Sequence, residues 1–222
     1  MNFTPADSLS LSAFIVFSII MTALFHYVFQ KVKAPARYPL IWWAYVIFFS
    51  TVVLSGLPGK LIIPVVPLLF ATLLGLYLYF AFSTFGKTVS AQFSAAALIG
   101  FQCFRLPLEL ILHQWAAGGT IPETMTWTGQ NWDVITGIVS LITIPFLNRS
   151  KKLAYAVNIL GFILLMNVLR VVVMSSPLPF AWPLNNPLQL VFYFPYCLIA
   201  PLFVGPALFG HVVAFRKLSL SQ

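Results

Sequence analysis

Four polar side chains recur at spacings of three, four and four residues in an otherwise apolar run: Gln102, Arg105, Glu109 and His113. In a helix that spacing places all four on one face. An arginine on such a face can hold a phosphate or carboxylate. A glutamate and a histidine one turn apart can move a proton or share a metal ion. Asn131 and Asp133 open a later apolar run, and Asn167 and Arg170 lie near the end of another. Charged side chains in hydrocarbon cost at least about 2.5 kcal/mol, so they turn inward or find partners. Arg105, Glu109, His113, Asp133 and Arg170, with Gln102, Asn131 and Asn167, are therefore expected to form one ligand-binding set at a common depth.

Three chemistries fit this set. The first is binding or transport of a small polar or anionic solute, with Arg105 and Arg170 as clamps. The second is an intramembrane enzyme acting on a lipid or lipid-linked substrate, with His113 or Glu109 as general base. The third is a metal held by Glu109, His113 and Asp133, for which no HExxH stretch is present. A separate pair, His26 and His211, stands five residues before Lys31 and Arg216 and reads as two interfacial histidines, with a bis-histidine haem as the alternative. Each residue also has a structural reading. Arg105 and Glu109 neutralise each other, Asp133 stabilises a helix start, Arg170 snorkels, and His113 is interfacial beside Trp115. A chain with no activity of its own would then be a scaffold or a subunit of a membrane complex.

The elements that carry these residues are membrane helices. The 222 residues are 60% apolar and 7% charged, against about 45–50% and about 25% in soluble domains. Seven runs read as transmembrane helices of one domain, at about 9–30, 39–57, 61–82, 91–115, 132–147, 153–174 and 187–215. Thr4-Pro5-Ala6-Asp7 reads as the start of the first. Pro107 should loosen the fourth between Arg105 and Glu109, and Pro195, Pro201 and Pro206 should kink or unwind the last. Asp133, Thr136, Gly137, Ser140 and Thr143 form a polar stripe on the fifth. The connection 116–130 is expected to fold over the site, with Glu123 and Trp127 at its rim.

Charge sets the expected orientation. Lys31, Lys33, Arg37, Lys87, Arg149, Lys151, Lys152, Arg216 and Lys217 fall on one side of the predicted bundle and Lys60 on the other. The positive-inside rule then puts the N-terminus outside and the C-terminus in the cytoplasm. The net charge of +8 is thus topological, and nucleic acid is not an expected partner. The segment before the first run has Asp7 and no basic residue, the reverse of a signal peptide. Cys103 and Cys197 lie inside apolar runs and read as buried thiols. A retinal Schiff base is excluded, because the last run has no lysine before Lys217. No phosphate loop, nucleophile elbow or CxxC occurs.

The stretch Phe104-Arg105-Leu106-Pro107-Leu108-Glu109-Leu110, followed by Ile121-Pro122-Glu123-Thr124-Met125-Thr126-Trp127 and Gly129-Gln130-Asn131-Trp132-Asp133, resembles a family of uncharacterised bacterial membrane proteins. The resemblance implies a bacterial inner-membrane setting. It also implies that the connection 116–130 and its flanking helix ends form one unit. It supplies no activity, substrate or cofactor.

Overall fold

A computed structural model describes residues 3–220, the side chains of Ile63 and Pro64 excepted. Among these residues the chain is helical and no strand forms. Its helices are α1 (Ser8–Lys31), α2 (Arg37–Leu54), α3 (Leu57–Lys60), α4 (Ile62–Phe82), α5 (Thr84–Gln92), α6 (Ala95–Gly100), α7 (Arg105–Ala117), α8 (Val134–Leu147), α9 (Lys151–Ser175) and α10 (Gly205–Leu220). Among the described residues six stretches are long and apolar enough to cross a membrane: Ser8–Lys31, Arg37–Leu54, Val65–Phe82, Ala95–Ala117, Lys151–Ser175 and Tyr196–Leu220. The expected fifth crossing, α8, is apolar but has only 14 residues. At about 1.5 Å per residue it falls short of a hydrocarbon core about 30 Å thick.

Proline explains the departures from the expected helices. Pro107 has no N–H for the carbonyl of Cys103, four residues back. The backbone accordingly tightens to a 3-10 turn at Phe101–Phe104, and α7 starts cleanly at Arg105. The weak point is therefore one turn earlier than expected, not between Arg105 and Glu109. The last crossing does not start near Pro187. Short 3-10 turns at Leu190–Phe192 and Tyr196–Leu198 and a π-turn at Ala200–Val204 precede α10. Ahead of the expected fourth helix lies α5, a separate helix that buries Phe85 and Val89.

The chain divides into two compact units. Unit 1 comprises Met1–Val16 and Ala95–Gln189, and unit 2 comprises Phe17–Ser94 and Leu190–Gln222. In unit 1, α8 packs against α6, α7 and α9. The approach to α7 is close: a Cβ on Gly137 would lie 2.8 Å from the backbone nitrogen of Leu106. In unit 2, α10 packs against α4 and α5 around Phe25, Phe29, Trp42, Tyr77, Phe80, Phe85 and Phe209. Phe85 stacks on Phe209 at 5.4 Å, and Phe25 meets Phe209 edge-on at 5.6 Å.

Candidate functional site

The polar face of α7 turns into unit 1. Gln102, Arg105 and Glu109 are all buried. The start of α8 faces them: of the expected stripe, Asp133, Thr136, Gly137 and Ser140 are buried and Thr143 is half-buried. Arg105 forms an ion pair with Asp133, in which Nη1 donates to Oδ1. Thr136 Oγ1 donates to the same carboxylate oxygen at 3.0 Å.

Asn131 ties this pair to Glu109. Its Oδ1 accepts from the backbone N–H of Asp133 at 3.2 Å, which fixes the turn into α8. Its Nδ2 donates to Glu109 Oε1 at 2.8 Å and to the carbonyl of Met125 at 3.1 Å. One buried amide thus joins α7, the connecting loop and α8. The second carboxylate oxygen of Glu109 has no hydrogen-bond partner among the described residues, although Glu109 is only 2% exposed.

The loop between α7 and α8 is folded rather than loose. It turns at Gly119 (φ 75°) and forms a 3-10 turn at Glu123–Met125. Its backbone closes on itself through Gln130 N–H to Thr124 O (3.1 Å) and Asn131 N–H to Thr126 O (3.2 Å). Ile121, Pro122, Met125 and Thr126 are buried. Trp127 stacks on His113 at 4.3 Å and 14°. Trp127 is half-buried and Glu123 exposed. The Nδ1 of His113 is buried and has no hydrogen-bond partner among the described residues.

Arg170 does not join this knot of Arg105, Asp133, Asn131 and Glu109. Ile163, Met166, Arg170 and Val173 form an exposed stripe along α9, while Leu164, Val168 and Val171 turn inward. Arg170 therefore starts on the wrong face. Its guanidinium bonds to Asn167 Oδ1 (2.9 Å) and Gln130 Oε1 (3.4 Å) and lies 5.6 Å from the ring centre of Trp182. Asn167 in turn donates to Gln130 O at 2.7 Å. This second set holds the loop from outside. Gln130 and Trp182, neither of them in the expected ligand-binding set, are its partners, and the polarity of Gln130 beside Asn131 was the available signal.

Metal and haem fare differently from the knot. Among the described residues no three His, Cys, Asp or Glu side chains are placed to hold a metal ion, so Glu109, His113 and Asp133 are not a ligand set. The carboxylate of Asp133 is occupied by Arg105 instead. His26 is exposed on α1 and His211 is buried in α10, so the two imidazoles do not share an environment. Cys103 and Cys197 are free thiols.

Searches against protein-family models, curated proteins and solved structures found no match to this chain.

Proposed function

We propose that the chain is a seven-crossing bundle of the bacterial inner membrane that binds or transports a small polar solute through unit 1. The N-terminus lies outside and the C-terminus in the cytoplasm, as the flanking lysines and arginines require. In this reading α8 is the fifth of the seven crossings, extended to the interfaces by 131–133 at one end and 148–150 at the other.

The observation that carries the solute reading is the pair of buried atoms without hydrogen-bond partners on one face of α7, Glu109 Oε2 and His113 Nδ1. Buried polar groups are nearly always satisfied, and a partner from outside the chain accounts for both. Arg105, the expected anion clamp, is engaged by Asp133, and Arg170 lies outside the knot. The unpartnered carboxyl oxygen of Glu109 and the ring nitrogen of His113 can each take a hydrogen bond from a ligand. The favoured solute is therefore a polar one with amino or hydroxyl groups.

Native mass spectrometry of the detergent-purified full chain tests this reading. The expected result is a small-molecule adduct on the wild type that disappears from Glu109→Gln and His113→Ala while both variants keep their melting temperature. An adduct-free wild type, with melting temperature falling at each substitution, would make the knot structural and the chain a scaffold.

A further inference from the structure

All four acidic residues of the chain, Asp7, Glu109, Glu123 and Asp133, belong to unit 1, and unit 2 has none. Unit 2 nevertheless carries Lys31, Lys33, Arg37, Lys60, Lys87, Arg216 and Lys217. All but Lys60 collect at one end, where α1, α4 and α10 finish, α2 begins and α5 lies. Contacts bind this end into one layer. Tyr38 Oη and Thr84 Oγ1 share a hydrogen bond of 2.8 Å, and Lys31 Nζ lies 5.1 Å from the ring centre of Phe93. Arg216 donates to the carbonyls of Ala81 and Ser83, and Lys217 Nζ to that of Ala91 at 3.4 Å.

Arg216 and Lys217 are thus partly committed to backbone carbonyls. Lys31, Lys33, Arg37 and Lys87 are exposed. Lys33 takes φ 50° and turns the short connection that carries Lys31 and Arg37. Like charges on one layer repel, and no acid of the same unit offsets them. Anions must come from outside. The layer sits at the ends of membrane-length helices, which is the depth of lipid headgroups. α5 has the character of an interfacial helix, with Phe85 and Val89 turned in and Lys87 and Gln92 turned out. We infer that this end of unit 2 binds the phosphates of anionic phospholipids, with Lys31, Lys33, Arg37 and Lys87 as the contact cations and α5 as their platform.

Native mass spectrometry of the delipidated full chain, titrated with phosphatidylglycerol or phosphatidylcholine in detergent, reads this directly. Wild type should retain phosphatidylglycerol over phosphatidylcholine. Lys31→Gln/Lys33→Gln/Arg37→Gln should lower that preference about a hundredfold, and Lys87→Gln alone about fivefold. Lys151→Gln/Lys152→Gln, in unit 1, should leave it unchanged. The inference is overturned by a wild type without preference, or by an equal fall in the unit 1 control. It is also overturned if millimolar inorganic phosphate displaces the lipid, because the site would then recognise free phosphate. If the triple variant does not fold, Lys87→Gln decides alone: an unchanged preference rejects the proposal.

Discussion

The interior of unit 1 is held by an ion pair and a shared amide, that of unit 2 by packed rings and a neutral hydrogen-bond chain. In unit 2, Trp42 Nε1 donates to Tyr77 Oη at 2.8 Å, and Tyr77 Oη donates to the carbonyl of Pro201 at 2.5 Å. That carbonyl belongs to the π-turn, where its partner five residues on would be the N–H of residue 206. Residue 206 is proline and has none. Tyr77 supplies the missing donor, so an irregular backbone is satisfied entirely from within. Unit 1 leaves Glu109 Oε2 and His113 Nδ1 without such partners. Among the described residues unit 2 also has an unpartnered buried hydroxyl, Ser18 Oγ, but the unpartnered atoms of unit 1 include a carboxylate oxygen and an imidazole nitrogen, groups able to bind a ligand strongly, and in that sense unit 2 is the frame and unit 1 the site.

The largest effect should come from separating Arg105 and Asp133. Arg105→Ala leaves a buried carboxylate unpaired, and about 3–5 kcal/mol of stability should be lost, read as a lower melting temperature in detergent. Arg105→Met/Asp133→Leu removes both charges together. If the pair is only structural, this double variant should recover most of that loss and keep any small-molecule adduct. Recovered stability with a lost adduct would place the pair in the site itself.

Unit 2 should respond to shape more than to charge. A Cβ on Gly205 would stand 2.1 Å from Cε2 of Tyr77, so Gly205→Ala should cost about 1–3 kcal/mol through overpacking. Tyr77→Phe keeps the ring but strips Trp42 of its acceptor and the π-turn of its donor, for a loss of about 1–2 kcal/mol. Both are checked by thermal unfolding. Neither should change the binding of a solute, and a lost adduct in Tyr77→Phe would erase the distinction between frame and site.

The sequence exposes this contrast unevenly. Spacing alone put Gln102, in the 3-10 turn, and Arg105 and Glu109, on α7, on one inward face and marked the stripe from Asp133 to Ser140, because helical periodicity is local. It missed that Arg105 turns to Asp133 rather than to Glu109. Pairing across helices depends on packing, and the close approach permitted by Gly137 decides it. Arg170 was misplaced because polarity was read without the apolar stripe of Ile163, Met166 and Val173 that carries it outward. The Tyr77–Pro201 bond joins residues 124 apart in sequence, and no local pattern announces it. The short α5 was hidden for another reason: its apolar and polar residues alternate too quickly for a crossing, and its Ser83 cap resembles an ordinary turn.

The smallest effect is the most local and contrasts two aspartates at helix starts. Asp133 is buried against an arginine, whereas Asp7 stands in the open before α1 and caps it alone. Its carboxylate accepts from Ser10 Oγ at 2.5 Å, from Ser10 N–H at 2.9 Å and from Leu9 N–H at 3.1 Å. These bonds, that of the Ser10 hydroxyl foremost, hold the Asp7 carboxyl below the usual carboxylate range. The folded carboxyl therefore binds its proton less tightly than the unfolded one. The cap stabilises the first turn above the ordinary aspartate value and loses that contribution as pH falls through the lowered one. Amide exchange at Ser10 and Leu11 should accelerate on acidification relative to Asp7→Asn, whose weaker cap does not titrate. Equal acid response in both proteins would mean that Asp7 does not hold the start of α1.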